Sequence, residues 1–278
     1  MKKEATLYAR PRIPFYLILI VAAVLLTAGF LVGLSVHKNR KLKAFEATIP
    51  SAEVVEDVNL SFKPDGTFAL TSSNGYYSLV VLSDETTAAT LKPFCVGGNV
   101  LTAVFMPADT PEYEALVLDI INQGMEIKTL YVPGGTDKEF LDSFSSLGNK
   151  SQYVKVKGGE YALYKDVVAY MLGSKKSLSF QLVHGENAVL YSYDEKVGSL
   201  FNSLEADLCI MPYEALTSSK LDTTYAFFPE ADFEEEALRK HTDKYVPEYT
   251  HADLFCLSDG KNLSFGVGLM STGRLSGE

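Results

Sequence analysis

Between Ile13 and Val36 there is no charged residue, and nothing else in the 278-residue chain limits its fold so strongly. At 1.5 Å per residue the stretch makes a helix of roughly 36 Å, enough to cross a bilayer core of about 30 Å with some tilt. Fifteen of its residues are Leu, Ile, Val or Phe, each favouring insertion by about 0.3–0.6 kcal/mol near the membrane centre. Pro14 falls in the first turn, where its missing N–H costs nothing. A cleaved leader would have an apolar core of about 7–15 residues and end in small residues. This run is longer and ends in Ser35-Val36-His37-Lys38, with more positive charge after it. The sequence therefore predicts a basic tail (1–12), an uncleaved transmembrane helix (13–36), a polar stalk (37–55) and a soluble domain (56–278).

Charge is divided along the same line. Residues 1–43 carry eight Lys/Arg against Glu4, whereas the remainder holds 17 basic and 34 acidic residues. A domain at −17 repels phosphates and has no basic stripe with interleaved aromatics, so nucleic acid is not an expected partner. Four basic residues flank each side of the apolar segment, which leaves the positive-inside rule without a clear sign. The short N-terminal tail favours an extracytoplasmic domain in a cell membrane, and the Lys38–Lys43 cluster favours the reverse. Gly29 and Gly33, one helical turn apart, offer a close-packing face for a homodimer through the membrane helix. Cys95, Cys209 and Cys256 are too few and too widely spaced for a disulfide framework or zinc ribbon, and all lie in or beside apolar runs as small hydrophobes.

Beyond the stalk the pattern alternates. Strands are expected at Val58–Phe62, Thr67–Thr71 and Tyr76–Leu82, punctuated by Lys63-Pro64-Asp65-Gly66 and Asn74-Gly75, and again at Val100–Phe105. A helix follows from Thr110-Pro111-Glu112 to Gly124, then a strand at Lys128–Val132. Thr136 and Glu139 read as a capping box for a helix that ends at Gly148, with a strand at Tyr153–Lys157 after it. A hairpin joins Leu178–Val183 to Ala188–Tyr193 through His184–Asn187. Next come a helix near Glu195–Leu204, strands at Leu208–Met211 and Thr224–Phe228, a helix from Asp232 to about His241, and a hairpin from Leu254 to Val267. Strand runs mixed with single helices give an α+β layered domain.

No motif with a mechanism behind it is intact: there is no phosphate-binding Gly-rich loop, nucleophile elbow or H-E-x-x-H. After the anchor the histidines are His184, His241 and His251. His184 sits at a hairpin turn and His241 at a helix C-terminus, so both read as solvated or structural. Asp232, Glu234, Glu235 and Glu236 fall in the first turn of a helix, where carboxylates complement the dipole.

Local strings in order carry a family resemblance. Val100–Phe105 leads into Met106-Pro107-Ala108-Asp109-Thr110-Pro111, then a helix, then Leu130-Tyr131-Val132-Pro133-Gly134. Later come Ser177-Leu178-Ser179-Phe180, Ser192-Tyr193-Asp194, Leu204-Glu205-Ala206-Asp207-Leu208 running to Pro212-Tyr213-Glu214, and Ser258-Asp259-Gly260. Over residues 56–268 the chain resembles the metallo-β-lactamase fold, in particular the soluble C-terminal domain of ComEC-type competence proteins. The resemblance implies an αββα sandwich after one transmembrane helix, with a dinuclear metal site at the strand ends. Where that family places its metal ligands this chain has Met106, Ala108, Thr110, Pro111, Tyr213 and Glu214, and only Asp194, at the bridging-carboxylate position, survives. Met106, Ala108 and Pro111 offer no useful donor to a divalent ion. The expectation is therefore a metal-free, cofactor-free, membrane-anchored binding or scaffold protein whose partner is the bilayer and another protein. The alternative is a hydrolase that uses Asp109, Asp194 and Glu214 as carboxylates at the same edge.

Overall fold

The structure is a computed structural model that describes residues 56–148, 151–172, 175–194, 204–228, 233–242, 244–247 and 253–267. The expected basic tail, membrane helix and stalk, with Gly29, Gly33, Asp232, His251 and the helix expected near 195–204, lie outside these residues, apart from Leu204. Among the described residues no helix is long and apolar enough to cross a membrane.

Alternation of apolar side chains builds two sheets. The first has eight strands in the order β15-β14-β1-β2-β3-β4-β5-β6. These are β1 (Val58–Phe62), β2 (Phe68–Ser72), β3 (Ser78–Val81), β4 (Val100–Phe105), β5 (Glu126–Val132), β6 (Gln152–Lys155), β14 (Leu254–Ser258) and β15 (Leu263–Val267). The second has seven, in the order β13-β12-β11-β10-β9-β8-β7. They are β7 (Gly159–Tyr164), β8 (Val167–Met171), β9 (Ser179–His184), β10 (Asn187–Ser192), β11 (Ala206–Ile210), β12 (Thr223–Phe228) and β13 (Lys244–Pro247). Each sheet is half antiparallel meander and half parallel: β3 to β6 run parallel in the first, and β10 to β13 in the second. The two halves of the chain thus repeat one order of elements, although the sequence shows no repeat.

Odd-and-even partition of the strands explains the layers. Val58, Leu60 and Phe62 of β1 and Phe180 and Leu182 of β9 meet in the core between the sheets. Outward residues of the first sheet, such as Val80, Val104 and Leu130, pack under α1 (Ala88–Leu91), α2 (Pro111–Asn122) and α3 (Lys138–Leu147). On the far face of the second sheet, Phe228 of β12 meets Tyr213, the first residue of α4 (Tyr213–Ser218), at 5.8 Å between ring centres. A short α5 (Glu235–Leu238) follows. The result is mixed α/β, two sheets with few helices, layered helix-sheet-sheet-helix. β3 and β8 are buried along their whole length because both their faces are covered.

Several sequence expectations need correction. The β7–β8 hairpin has no turn signal in the sequence: its turn places Lys165 at φ +41°, where glycine or asparagine belongs. β13 and α4 likewise carry no signal in the sequence, and the Pro212-Tyr213-Glu214 string runs into a helix. The N-cap of α3 is Asp137, whose carboxylate accepts from the Glu139 amide, while Thr136 is buried and donates its hydroxyl to the Pro133 carbonyl. Glu235 and Glu236 do occupy the first turn of α5, but that helix has only four residues. All three cysteines are free thiols, with Cys209 and Cys256 buried and Cys95 half-buried.

Candidate functional site

Parallel strands gather their C-terminal ends on one side of a sheet, and the helices that follow start there, so polar loops collect at that edge. Here the edge is formed by the residues after β4, β5, β10, β11 and β12. The β1–β2 turn also lies at this end, since Phe68 pairs with Val81 at the close of β3. The four hairpin turns β2–β3, β7–β8, β9–β10 and β14–β15 lie at the opposite end, as the pairs Val58–Ser72, Val58–Ser258, Val167–His184 and Asn187–His184 require.

At the loop edge Met106 is fully buried among the side chains beneath α2 and α3. Ala108 forms a bridge with Ser177 across the two sheets, flanked by Leu178 N–H to Pro107 O at 2.7 Å and Asp109 N–H to Lys176 O at 2.7 Å. This bridge zips the loop shut. The Ser177 hydroxyl donates to the Asp194 carboxylate at 2.5 Å. Gly135 closes the neighbouring loop: its N–H donates to Lys175 O at 2.8 Å, and a Cβ there would sit 2.4 Å from the same oxygen, so only glycine fits. Thr110 caps α2 from an extended conformation, and Pro111 begins it exposed. The Tyr213 hydroxyl clamps the backbone of Glu234, accepting from its N–H at 3.1 Å and donating to its carbonyl at 3.2 Å. Glu214 projects from α4 into solvent.

The positions that the resemblance gives to metal ligands therefore fall at one edge of the fold, but their side chains do not suit a dinuclear centre. Met106 faces the core, Ala108 and Pro111 have no donor, Tyr213 is committed to Glu234, and Asp194 is bonded to Ser177. Among the described residues no three His, Cys, Asp or Glu side chains come together to hold a metal. Asp109, Asp194 and Glu214 are not brought together as a carboxylate cluster. A titratable group that the sequence reading missed is Glu114, on α2. Burial pushes its carboxyl above the usual range, and Asp109 and Asp137 add to the effect. A helix N-terminus should lower a carboxyl, so the sequence gives no signal for this rise. The Tyr113 and Tyr193 rings meet edge-to-face at 6.0 Å. Burial raises both phenols, with Asp84 contributing to each.

A buried polar cluster lies at the other end. His184 is not in a solvated turn: it is the last residue of β9, 5% exposed, with Gly185 at φ +62° supplying the turn after it. Its Nδ1 lies 2.7 Å from Ser258 Oγ and its Nε2 2.9 Å from the Glu56 carbonyl and 3.5 Å from the Asp166 carboxylate. Asn187 donates to Ser258 Oγ at 2.7 Å, and Gly260 N–H does so at 3.4 Å. Serine, imidazole and carboxylate thus stand in the order of a nucleophilic relay. The Ser258 oxygen, however, already accepts from Asn187 and is 1% exposed, and the apolar void beside it is about 10 Å³. That volume is at the lower limit for one water, so no substrate reaches the hydroxyl. His241 bonds the Leu221 carbonyl through Nδ1 at 2.8 Å, also a structural role.

No family model and no curated protein matches the chain. Solved structures similar to it include the metallo-β-lactamase fold protein YhfI from Bacillus subtilis, at 11% identity over 69% of this chain and 96% of that one, with a TM-score of 0.48. CmlA, a diiron β-hydroxylase from Streptomyces venezuelae, is 9% identical over 68% of this chain and 52% of its own, with a TM-score of 0.46. Zn²⁺-bound PqqB from Methylobacterium extorquens is 11% identical over 52% and 59%, with a TM-score of 0.39. At these scores the likenesses carry no argument about what this chain binds or does, and its fold rests on its own layers and strand order.

Proposed function

We propose that the chain is a membrane-anchored, metal-free relative of the metallo-β-lactamase fold, close to the ComEC-type soluble domain, that works by binding another protein. One observation carries the reading: the positions where the family would hold metal are filled by side chains spent on packing and internal hydrogen bonds. Met106 is core, Ala108 is bridged to Ser177, Asp194 takes the Ser177 hydroxyl and Tyr213 clamps Glu234. A hydrolytic metal centre needs open coordination positions and an activated water, and these side chains provide neither. The charge-free segment 13–36 supports the anchor, and the short N-terminal tail supports an extracytoplasmic domain. The partner surface is the exposed rim of the loop edge, including Pro111 and Glu214, because loops on a rigid scaffold are where binding surfaces accumulate. Elemental analysis of the purified full chain tests the proposal. The expected result is no stoichiometric Zn, Mn or Fe, with a Tm indifferent to chelator and no phosphodiesterase, β-lactamase or nuclease activity. One or two metal equivalents, lost in Asp194→Ala, would overturn it.

A further inference from the structure

Glu56 is where the described domain begins, and it is held from several sides. Its carboxylate accepts from the Asn74 amide at 2.8 Å, from Asn74 Nδ2 at 2.6 Å and from the Ser73 hydroxyl at 3.2 Å, all in the β2–β3 turn of the first sheet. The same carboxylate pairs with Lys165 and takes the Tyr164 hydroxyl at 3.2 Å, both beside the β7–β8 turn of the second sheet. Its carbonyl meets His184 at the β9–β10 turn. The Glu56 side chain is left 9% exposed. Around it the seam between the sheets continues: the Tyr77 and Tyr164 rings stack at 4.8 Å, and Asn74 donates to the Tyr164 hydroxyl at 2.9 Å.

Lys165 supplies an independent observation. Its φ of +41° is disfavoured for a residue with a Cβ, and such a conformation persists only where the surroundings over-determine it. Glycine or asparagine would form this turn without that cost. What lysine adds is an ammonium that reaches Glu56 and lies 5.1 Å from the centre of the Tyr164 ring.

We infer that Glu56 and Lys165 form a clasp holding the turn ends of the two sheets together, and that loss of either partner opens this end while the loop edge stays closed. The loop edge has its own tie, the Ala108–Ser177 bridge, which does not involve either clasp residue. The clasp is a conformational device: one carboxylate gathers contacts from turns of both sheets, so a change at it is felt by both.

Amide hydrogen exchange on the purified full chain tests this with two variants, Glu56→Ala and Lys165→Gly. In both, peptides spanning 72–78, 162–168 and 182–188 should exchange at least about tenfold faster, while 104–110 and 176–180 keep their wild-type rates. Lys165→Gly is the sharper arm, because glycine relaxes the backbone and would slow exchange if the turn alone mattered. Slower or unchanged exchange in Lys165→Gly overturns the clasp. So does acceleration in Glu56→Ala limited to 72–78, or spread evenly over the whole domain.

Discussion

The two ends of the sandwich divide the work of holding it together in opposite ways. At the loop edge, where the fold would place chemistry, the sheets are joined by main-chain bonds around the Ala108–Ser177 bridge, while Met106 packs under the helices and Ser177 holds Asp194 within the second sheet. At the turn end, where hairpins would ordinarily be polar and solvated, an imidazole, a serine and an asparagine are buried in one network, with the Glu56 clasp beside it. A buried polar network contributes only while every member is satisfied, whereas apolar padding is insensitive to its neighbours' protonation. Buried histidine beside serine and carboxylate is therefore no sign of catalysis here.

Removing the imidazole should have the largest effect. His184→Ala leaves Ser258 and the Glu56 carbonyl short of a buried partner, at roughly 1–3 kcal/mol per group, so a loss of about 3 kcal/mol is expected. A denaturant midpoint that falls with an unchanged slope would show it. A loss under about 1 kcal/mol would mean that water replaces the ring and that the turn end is not the rigid one.

Legibility in the sequence follows the same division. β1 and β4 appear within the bounds their alternation predicts, and α2 begins at Pro111 and stops before Gly124, whose φ is +87°. These are local signals, fixed by side-chain period and turn chemistry. His184 was misread because a hairpin turn is polar by default, and its burial depends on Ser258, 74 residues away. β7 and β8 were missed because a strained lysine stands where the turn residue should be, and that strain is supported by Glu56, 109 residues away. The departures at Met106 and Ala108 were readable as residue types, but their commitment to the core was not. Met106→Ala sharpens this point: a padded edge should lose about 2 kcal/mol to the cavity, whereas an open cleft would lose well under 1 kcal/mol.

The smallest expected effect lies at Glu114 and concerns the sign of a charge term. Its carboxyl is raised by burial, with Asp109 and Asp137 nearby, so the protonated form is favoured in the folded state relative to the unfolded chain. A raised acid gives its full stabilisation below the unfolded pKa and loses it as pH rises through the folded value. At neutral pH the ionised Glu114 thus costs the domain something, and Glu114→Gln, neutral at every pH, should recover it. Because the side chain is only partly buried, solvent screening discounts the gain to a few tenths of a kcal/mol. The difference in Tm between variant and wild type should be positive at pH 7 and shrink toward zero below about pH 4, near the ordinary carboxylate range. A variant less stable at pH 7 would mean that Glu114 is stabilised there as an anion, and would return a functional carboxylate to the padded edge.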